Sequence, residues 1–393
     1  MKILVLGSGL IGPASAYYAM VDPDVTHITL CDISQQQLDA AQTKLSGLEG
    51  GEKLTTVQLD VRDQAAAAKL MAEHDAVVGA LDRPAIGLGI RAAAAAKTPL
   101  VDLLWPFEEE AAELKGIVDE AGSLAIVGCG VEPGLTEIMA RYLAEKLDCI
   151  DELHIKCGGI PEEPAPPLGY KIVFGGRRMP LWEGDSHIVQ DGVLTTVPRY
   201  SGAHAVHFPG VGEVEAWNEE FFPWLMDLEV LQGLNLGTQM TVRWPGYAEK
   251  ASVLWELDLV STKPIDVNGT QVAPKDLLDA LLYPHVKMEA HDRDITCFRV
   301  EVLGEKKGRR RRYKIETVDR YDEDLGFTSM ARTTGFAGAI VARMAARGEL
   351  DAAGMLSPEK VITAGPLFDR LVEDLAAMDI RFDLTTEKVK ELG

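Results

Sequence analysis

What this sequence lacks narrows its chemistry before any motif is considered. Its five cysteines (Cys31, Cys129, Cys149, Cys157 and Cys297) are odd in number and form no CxxC pair, so neither a disulfide framework nor a metal knuckle can be read from them. His204 and His207 stand three residues apart, with no carboxylate or third histidine at ligand spacing, and no metal is expected. There is no Gly-x-Ser-x-Gly elbow, and Cys129 has no evident histidine partner, which argues against the usual nucleophilic hydrolases. No apolar stretch approaches the ~20 residues of a membrane helix. Met1-Lys2 runs directly into a strand rather than a cleavable leader, so a reducing, cytoplasmic setting is expected.

Positive charge is also scarce. Lysine and arginine total 39 against 61 aspartates and glutamates, a formal net charge of −22. Such a surface disfavours nucleic acid and anionic membranes, whose binding relies on a basic footprint. The one basic run, Lys306 to Arg312, lies between strand-like Cys297–Leu303 and Tyr313–Val318 and reads as a charged hairpin tip. At 393 residues the chain is long enough for two or three domains with unstapled cores.

What is present is a regular alternation. Strand-like Lys2–Leu6, His27–Cys31, Leu54–Leu59, Ala76–Gly79, Leu100–Leu103 and Leu124–Val127 alternate with the helical patterns Ala14–Met20, Ser34–Leu45, Gln64–Glu73, Gly87–Lys97 and Phe107–Ala121. This is an α/β pattern, a doubly wound parallel sheet of Rossmann type. After Gly128 the texture changes. Helix Leu135–Leu147 is followed by Glu152–Cys157, Lys171–Phe174, Gln239–Arg243, Val253–Ser261, Thr296–Val302 and Tyr313–Asp319, all read as strands of an α+β domain. From Thr328 the chain returns to helix, at Gly335–Arg347 and Gly365–Met378. The expected domains are therefore 1–130 (dinucleotide binding), 131–327 (substrate) and 328–393 (C-terminal helices).

One motif carries chemistry. Gly7-x-Gly9-x-x-Gly12, with Leu10 and Ile11 between the last two glycines, follows a strand, opens a helix, and is answered by Asp32 twenty residues beyond Gly12. Gly7 permits the turn, Gly9 lets the backbone approach a pyrophosphate, Gly12 lets helix and strand pack, and the helix N-terminus meets the phosphate charge. A bare glycine turn is the alternative. Asp32 would accept hydrogen bonds from ribose hydroxyls and repel a 2′-phosphate, and neither Ile33 nor Ser34 supplies an arginine, so NAD is favoured over NADP. Asp60 either contacts the adenine edge or caps the helix starting near Asp63.

Ligands of such sheets sit beyond the strands' carboxyl ends. The loops there hold Ala80-Leu81, Asp102, and the Gly128–Gly134 loop with Glu132. Ala80 and Leu81 are placed to touch the cofactor. Asp102 and Glu132 are candidate proton carriers, or else solvated loop charges. In the second domain, Tyr170 and Lys171 follow a proline-rich loop, and Arg243 ends a strand shortly before Tyr247. An arginine beside an aromatic suits bidentate recognition of a substrate carboxylate, and an ordinary surface ion pair is the alternative.

These segments resemble the saccharopine dehydrogenase family, and within it a lysine 6-dehydrogenase-like branch. The resemblance rests on the strand and Gly-Ser-Gly-Leu-Ile-Gly of residues 2–12, Val101-Asp102-Leu103, Gly130-Val131-Glu132-Pro133-Gly134, Gly158-Gly159-Ile160-Pro161, Pro167-Leu168-Gly169-Tyr170-Lys171, the stretch Arg243–Lys250, and Ala331–Phe336. It implies a pyridine-nucleotide oxidoreductase acting on an amino acid's C–N bond, C-terminal helices that complete the first domain, and a middle domain whose sheet helps form a homodimer. Lysine 6-dehydrogenases oxidise the terminal C–N bond of lysine. The reading is thus an NAD-dependent amino-acid dehydrogenase, with Asp102, Glu132 or Lys171 in catalysis, Tyr170, Arg243 and Tyr247 on the substrate, and the substrate bridging two domains. A reductase that forms a secondary amine, and an NAD-binding sensor without turnover, are the alternatives.

Overall fold

The computed structural model describes residues 1–174 and 176–389; the last four residues of the expected 328–393 segment lie outside the described residues. The first elements are β1 (Lys2–Leu6), α1 (Gly12–Met20), β2 (His27–Asp32), α2 (Gln35–Leu45), β3 (Leu54–Gln58), α3 (Gln64–Met71), β4 (Ala76–Gly79), α4 (Arg83–Ala96), β5 (Leu100–Asp102), α5 (Glu108–Ala121), β6 (Leu124–Ile126) and α6 (Leu135–Ala144). There follow β7 (Cys149–Pro161), β8 (Ser186–Gln190), β9 (Val193–Val197), β10 (His204–Phe208), β11 (Gly212–Asn218), β12 (Leu236–Arg243), α7 (Tyr247–Glu256), β13 (Ile265–Val267), β14 (Thr270–Val272), α8 (Pro274–Val286), β15 (Asp294–Glu305) and β16 (Arg310–Arg320). The chain ends with α9 (Ser329–Ala346), β17 (Gly354–Leu356), α10 (Pro366–Ala377) and β18 (Asp383–Lys388).

Two compact units result: residues 1–138 with 322–381, and residues 139–321 with 382 onward. The first holds a seven-stranded parallel sheet in the order β17-β6-β5-β4-β1-β2-β3. Its central strands are apolar throughout because both faces are covered: Ile3, Leu4, Val5, Val77 and Val78 are fully buried. The order reverses between β1 and β4, the switch point where such sheets bind ligands. Helix α9 is buried along nearly its whole length, which its Ala/Gly-rich sequence permits. It lies against α1, with Phe336 5.0 Å from the Tyr18 ring and Arg343 paired with Asp22 at 2.8 Å. The C-terminal segment thus completes the first unit with a strand, β17, as well as with helices.

The second unit is a mixed sheet in the order β10-β11-β12-β7-β15-β16-β18, with β8 and β9 attached to β12. Among the described residues, the β12–β7 pair alone is parallel in this sheet. The basic run forms the β15–β16 hairpin tip, as its composition suggested. Two expected strands are not strands. Val253–Ser261 begins inside helix α7, because Tyr247, Ala248 and Ala251 recur at helical spacing toward the core and the apolar run only extends that stripe outward. Lys171–Phe174 is irregular and is tied down by the Ile172 amide donating to the Val286 carbonyl at 2.7 Å.

Candidate functional site

The glycine loop is built by close approach. Gly7 has φ +96°, and a Cβ there would lie 2.4 Å from the Ala80 carbonyl oxygen; at Gly12 it would lie 1.8 Å from the Gly7 oxygen. These two glycines lock β1, β4 and α1 together. Gly9 differs: a Cβ placed there would have Gln37 Oε1, at 3.9 Å, as its nearest neighbour, so this glycine faces open space. Helix α1 has no side-chain cap at Ile11 and has a proline in its first turn. Pro13 has no N–H, and the Ala14 amide donates to the Ile11 carbonyl at 3.0 Å, so it is the Gly12 amide that opens the helix end, where a phosphate can be received. Leu10 is exposed and Ile11 half-buried beside it.

At the end of β2, Asp32 is fixed by two backbone donors, Ser8 N to Oδ2 at 2.6 Å and Ser34 N to Oδ1 at 2.7 Å. Each oxygen keeps acceptor capacity for a ribose hydroxyl. Asp60 is held by Arg62, whose guanidinium reaches it at 2.6 Å and keeps its carboxyl below the usual range. The capping alternative for Asp60 is corrected, since Asp63 caps α3 by accepting from the Ala66 amide at 3.0 Å. Open glycine, uncapped helix and positioned carboxylate together fit a dinucleotide.

The acids of the sheet crest diverge. Asp102 closes β5 with 1% exposure; its Oδ1 accepts from the Leu104 amide at 3.0 Å and its Oδ2 has no partner. Burial pushes this carboxyl up to about 8, against the opposing effect of the Leu104 hydrogen bond. Gly79 opposes it on β4, and a side chain there would strike Asp102 Oδ2. Glu132 is half-buried in the turn before Pro133. The sequence reading missed Glu137, buried in the first turn of α6. It accepts from the Gly134 amide at 2.5 Å and from Thr136 Oγ1 at 2.8 Å, and burial still raises it to about 7. The signal was present: a glutamate three residues after the loop's last glycine, reaching back to its amide. Cys129 is buried, and its thiol is pushed up by desolvation and by the neighbouring Glu359 and Asp102.

In the second unit Arg243 ends β12, 4% exposed, so it is not a surface ion pair. Its Nη1 donates to the Val242 carbonyl at 2.8 Å, and its Nε has no partner. The guanidinium lies 4.7 Å from the Tyr170 ring and 5.9 Å from the Tyr247 ring, and the two tyrosines meet edge to face at 5.9 Å. The structure therefore brings together Tyr170, Arg243 and Tyr247, which lie up to 77 positions apart. Lys171 points elsewhere, with Nζ 3.1 Å from both Asp292 Oδ2 and the Lys287 carbonyl, so its ammonium is already engaged. Trp217, stacked on Tyr247, and Tyr200, tilted against Trp217, belong to the same group of rings and were not anticipated.

The glycine loop, the fixed Asp32 and the buried Asp102 stand at the carboxyl ends of a parallel sheet of dinucleotide-binding type. The saccharopine dehydrogenase NADP binding domain matches residues 3–126, and the saccharopine dehydrogenase C-terminal domain matches residues 130–377. The chain belongs to the saccharopine dehydrogenase family. It is 24% identical to the saccharopine dehydrogenase (NADP(+), L-glutamate-forming) of Schizosaccharomyces pombe, over 95% of this chain and 97% of that protein. It is 23% identical to the carboxynorspermidine synthase of Vibrio cholerae, over 92% of each. The fold matches the apo saccharopine dehydrogenase (L-Glu forming) of Saccharomyces cerevisiae with a TM-score of 0.78, at 19% identity over 98% of this chain and 99% of that one. Membership makes it an oxidoreductase of amino-acid C–N bonds that binds NAD or NADP. No helix among the described residues is long and apolar enough to cross a membrane.

Proposed function

We propose that the protein is a lysine 6-dehydrogenase-like enzyme that oxidises the terminal C–N bond of an amino acid with NAD. The observation that carries this reading is Asp102: a buried carboxyl at the crest, half-unpaired, and poised near 8. A group in that range exchanges protons with a substrate ammonium at working pH. The glycine loop and Asp32 would hold the nucleotide, and its nicotinamide would supply the hydride acceptor for the carbon that carries the nitrogen. Asp102 Oδ2 takes the amine proton before hydride transfer and returns it in the reverse direction. Glu132, on the adjoining loop, serves the hydrolytic water. In the second unit, Arg243 offers its unpaired Nε face to a substrate carboxylate, beside the Tyr170 and Tyr247 rings. The net charge of −22 favours an amine-bearing cation over a polyanion.

The preference for NAD rests on Asp32, and on Ile33-Ser34-Gln35-Gln36, which offer no cation to a 2′-phosphate. A second reading has its own support in the names of the S. pombe and V. cholerae relatives: a reductase that joins two substrates through a secondary amine, with NADP. A panel of NAD and NADP against L-lysine and saccharopine, followed in the near-ultraviolet nicotinamide band, separates the two. Lysine turnover with NAD supports the first reading, and saccharopine turnover with NADP supports the second. Tight nucleotide binding with turnover of neither overturns both in favour of a sensor. A homodimer belongs to the same proposal, and a monomer by light scattering contradicts it.

A further inference from the structure

The unpaired Oδ2 of Asp102 is shut off from solvent, and the segment that carries it has a second stretch of chain lying on it. Residues 128–134, which join β6 to α6, are buried except at Glu132 and Pro133. The Gly128 amide donates to the Leu104 carbonyl and the Cys129 amide to the Asp102 carbonyl, each at 2.9 Å. A Cβ on Gly130 would come within 3.1 Å of the Leu103 oxygen, so the two stretches touch closely. The loop then turns back on itself. The Gly130 amide donates to the Pro133 carbonyl at 2.8 Å, and Gly134 holds φ +137°, where a Cβ would lie 2.1 Å from the Gly130 oxygen. Glu137, 1% exposed, ties that turn: its Oε2 accepts from the Gly134 amide at 2.5 Å and its Oε1 from Thr136 Oγ1 at 2.8 Å.

Both groups that reach Glu137 donate to it, which suits an acceptor-only carboxylate. Capping the start of α6 does not require this burial, because an exposed glutamate caps as well, and taking a carboxyl out of water is costly. A second acid stands near. Glu359, in the turn after β17, is fully buried and accepts from Ser357 Oγ. The order β17-β6-β5 sets Glu359, Cys129 and Asp102 at or just past the ends of three neighbouring strands. The charges acting on this corner are acidic: Glu359 bears on Glu137, and Glu359 and Asp102 both bear on Cys129. Mutual repulsion favours letting water into such a corner, so the loop over it needs a tie. We propose that Glu137 is a positioning residue which, through Gly134, keeps the 128–134 loop seated on Asp102–Leu104 and so excludes water from the Asp102 carboxyl. Its effect on turnover rests on the reading of Asp102 as the proton carrier; the seating of the loop does not.

The protonation of Asp102 can be read without turnover, from the infrared carbonyl stretch of its neutral acid, assigned as the band that Asp102→Asn removes. That band is titrated in the full chain and in its Glu137→Leu, Glu137→Gln and Thr136→Val variants, with thermal melts reporting that each is folded. In the parent the band should fade near pH 8. In Glu137→Leu, which offers the Gly134 amide no acceptor, it should fade at least about one pH unit lower, an about ten-fold weaker hold on the proton once water enters. Glu137→Gln keeps an acceptor and should stay close to the parent. Thr136→Val should move the band in the same direction as Glu137→Leu but less, and it carries the test if Glu137→Leu does not fold. An unmoved band in the folded variant overturns the proposal, as does a parent with no such band at about pH 6. Equal shifts in Glu137→Gln and Glu137→Leu also overturn it, since charge rather than the tie would then be acting. The expected shift in a protein that oxidises no amine leaves the positioning role standing and removes the enzymatic reading. Turnover of an amino acid with an unmoved band does the reverse.

Discussion

The glycine cradle of the first unit and the Arg243 cluster of the second are both donor sites, built from opposite materials. In the cradle the donors are backbone N–H groups at an uncapped helix end, and the side chain that matters most is the one missing at Gly9. In the cluster the donors are side chains, desolvated and wedged among aromatic rings. A backbone site loses little when empty, because water reaches its N–H groups. A side-chain site buries polar atoms at a cost of about 1–3 kcal/mol for each one left unpaired, and it recovers that only when its ligand arrives.

The contrast is tested most severely at the glycines. Gly9→Val should leave the fold intact, since its side chain enters open space, yet lower nucleotide affinity by about a hundred-fold or more by blocking the phosphate approach. Gly12→Ala should instead destabilise the protein, by about 3 kcal/mol or more, because the added methyl meets the Gly7 oxygen. Calorimetric binding and thermal melts distinguish the two, and a Gly9→Val protein that binds normally would show that the loop is no cradle.

Asp102→Asn should lower kcat by about 10²-fold, and its pH dependence adds a second readout. The folded carboxyl sits near 8, above its ordinary value, so the native state binds a proton that the unfolded chain releases from about pH 4 upward. The protein accordingly loses stability as pH rises between those values, by at most about 1.4 kcal/mol per pH unit. Asparagine removes that loss. The variant should melt higher than the parent, with a gap that widens from pH 5 to pH 8, and the rise of kcat/KM for amine oxidation near pH 8 should disappear. Equal melting curves at all pH values would show that Asp102 is not buried as a neutral acid.

Smaller effects are expected at the side chains that read the ligands. Arg243→Lys keeps charge but loses the planar fork, and KM for the amino acid should rise about ten-fold with kcat little changed. Asp32→Ala should shift the ratio of NAD to NADP affinity toward NADP by a few-fold, since one ribose partner and one repulsive charge go together. A parent enzyme that already prefers NADP would contradict the role given to Asp32.

The two regions also differ in how much of them the sequence disclosed. The cradle was legible down to Asp32 because one ligand geometry imposes one spacing on contiguous residues, and the parallel sheet followed from its apolar strands. The Asp60 alternative failed as a cap because Asp63, one turn on, was the better-placed acceptor. In the second unit Arg243, Tyr170 and Tyr247 could be named singly, but their union with Tyr200 and Trp217 depends on the pairing of β11 with β12 and on the strained turn before β10, neither of which leaves a periodic trace. The state of Asp102 was likewise illegible, because a carboxylate at a strand end reads as exposed until the burial around it is known. The second half of helix α7 reads as a strand because its apolar residues are consecutive, although Val253 is exposed while Leu254 and Trp255 pack on the core.

The most direct test follows the hydrogen itself. The protein is supplied with NAD or NADP and with L-lysine or saccharopine deuterated at the carbon bearing the nitrogen, and the reduced nucleotide is weighed by mass spectrometry. An amino-acid dehydrogenase working through Asp102 should place a single deuterium in the reduced nicotinamide, from lysine with NAD, and should form that labelled product about 10²-fold more slowly in Asp102→Asn. Reduction without label, or a nucleotide that binds and is reduced by neither amine, would contradict that chemistry.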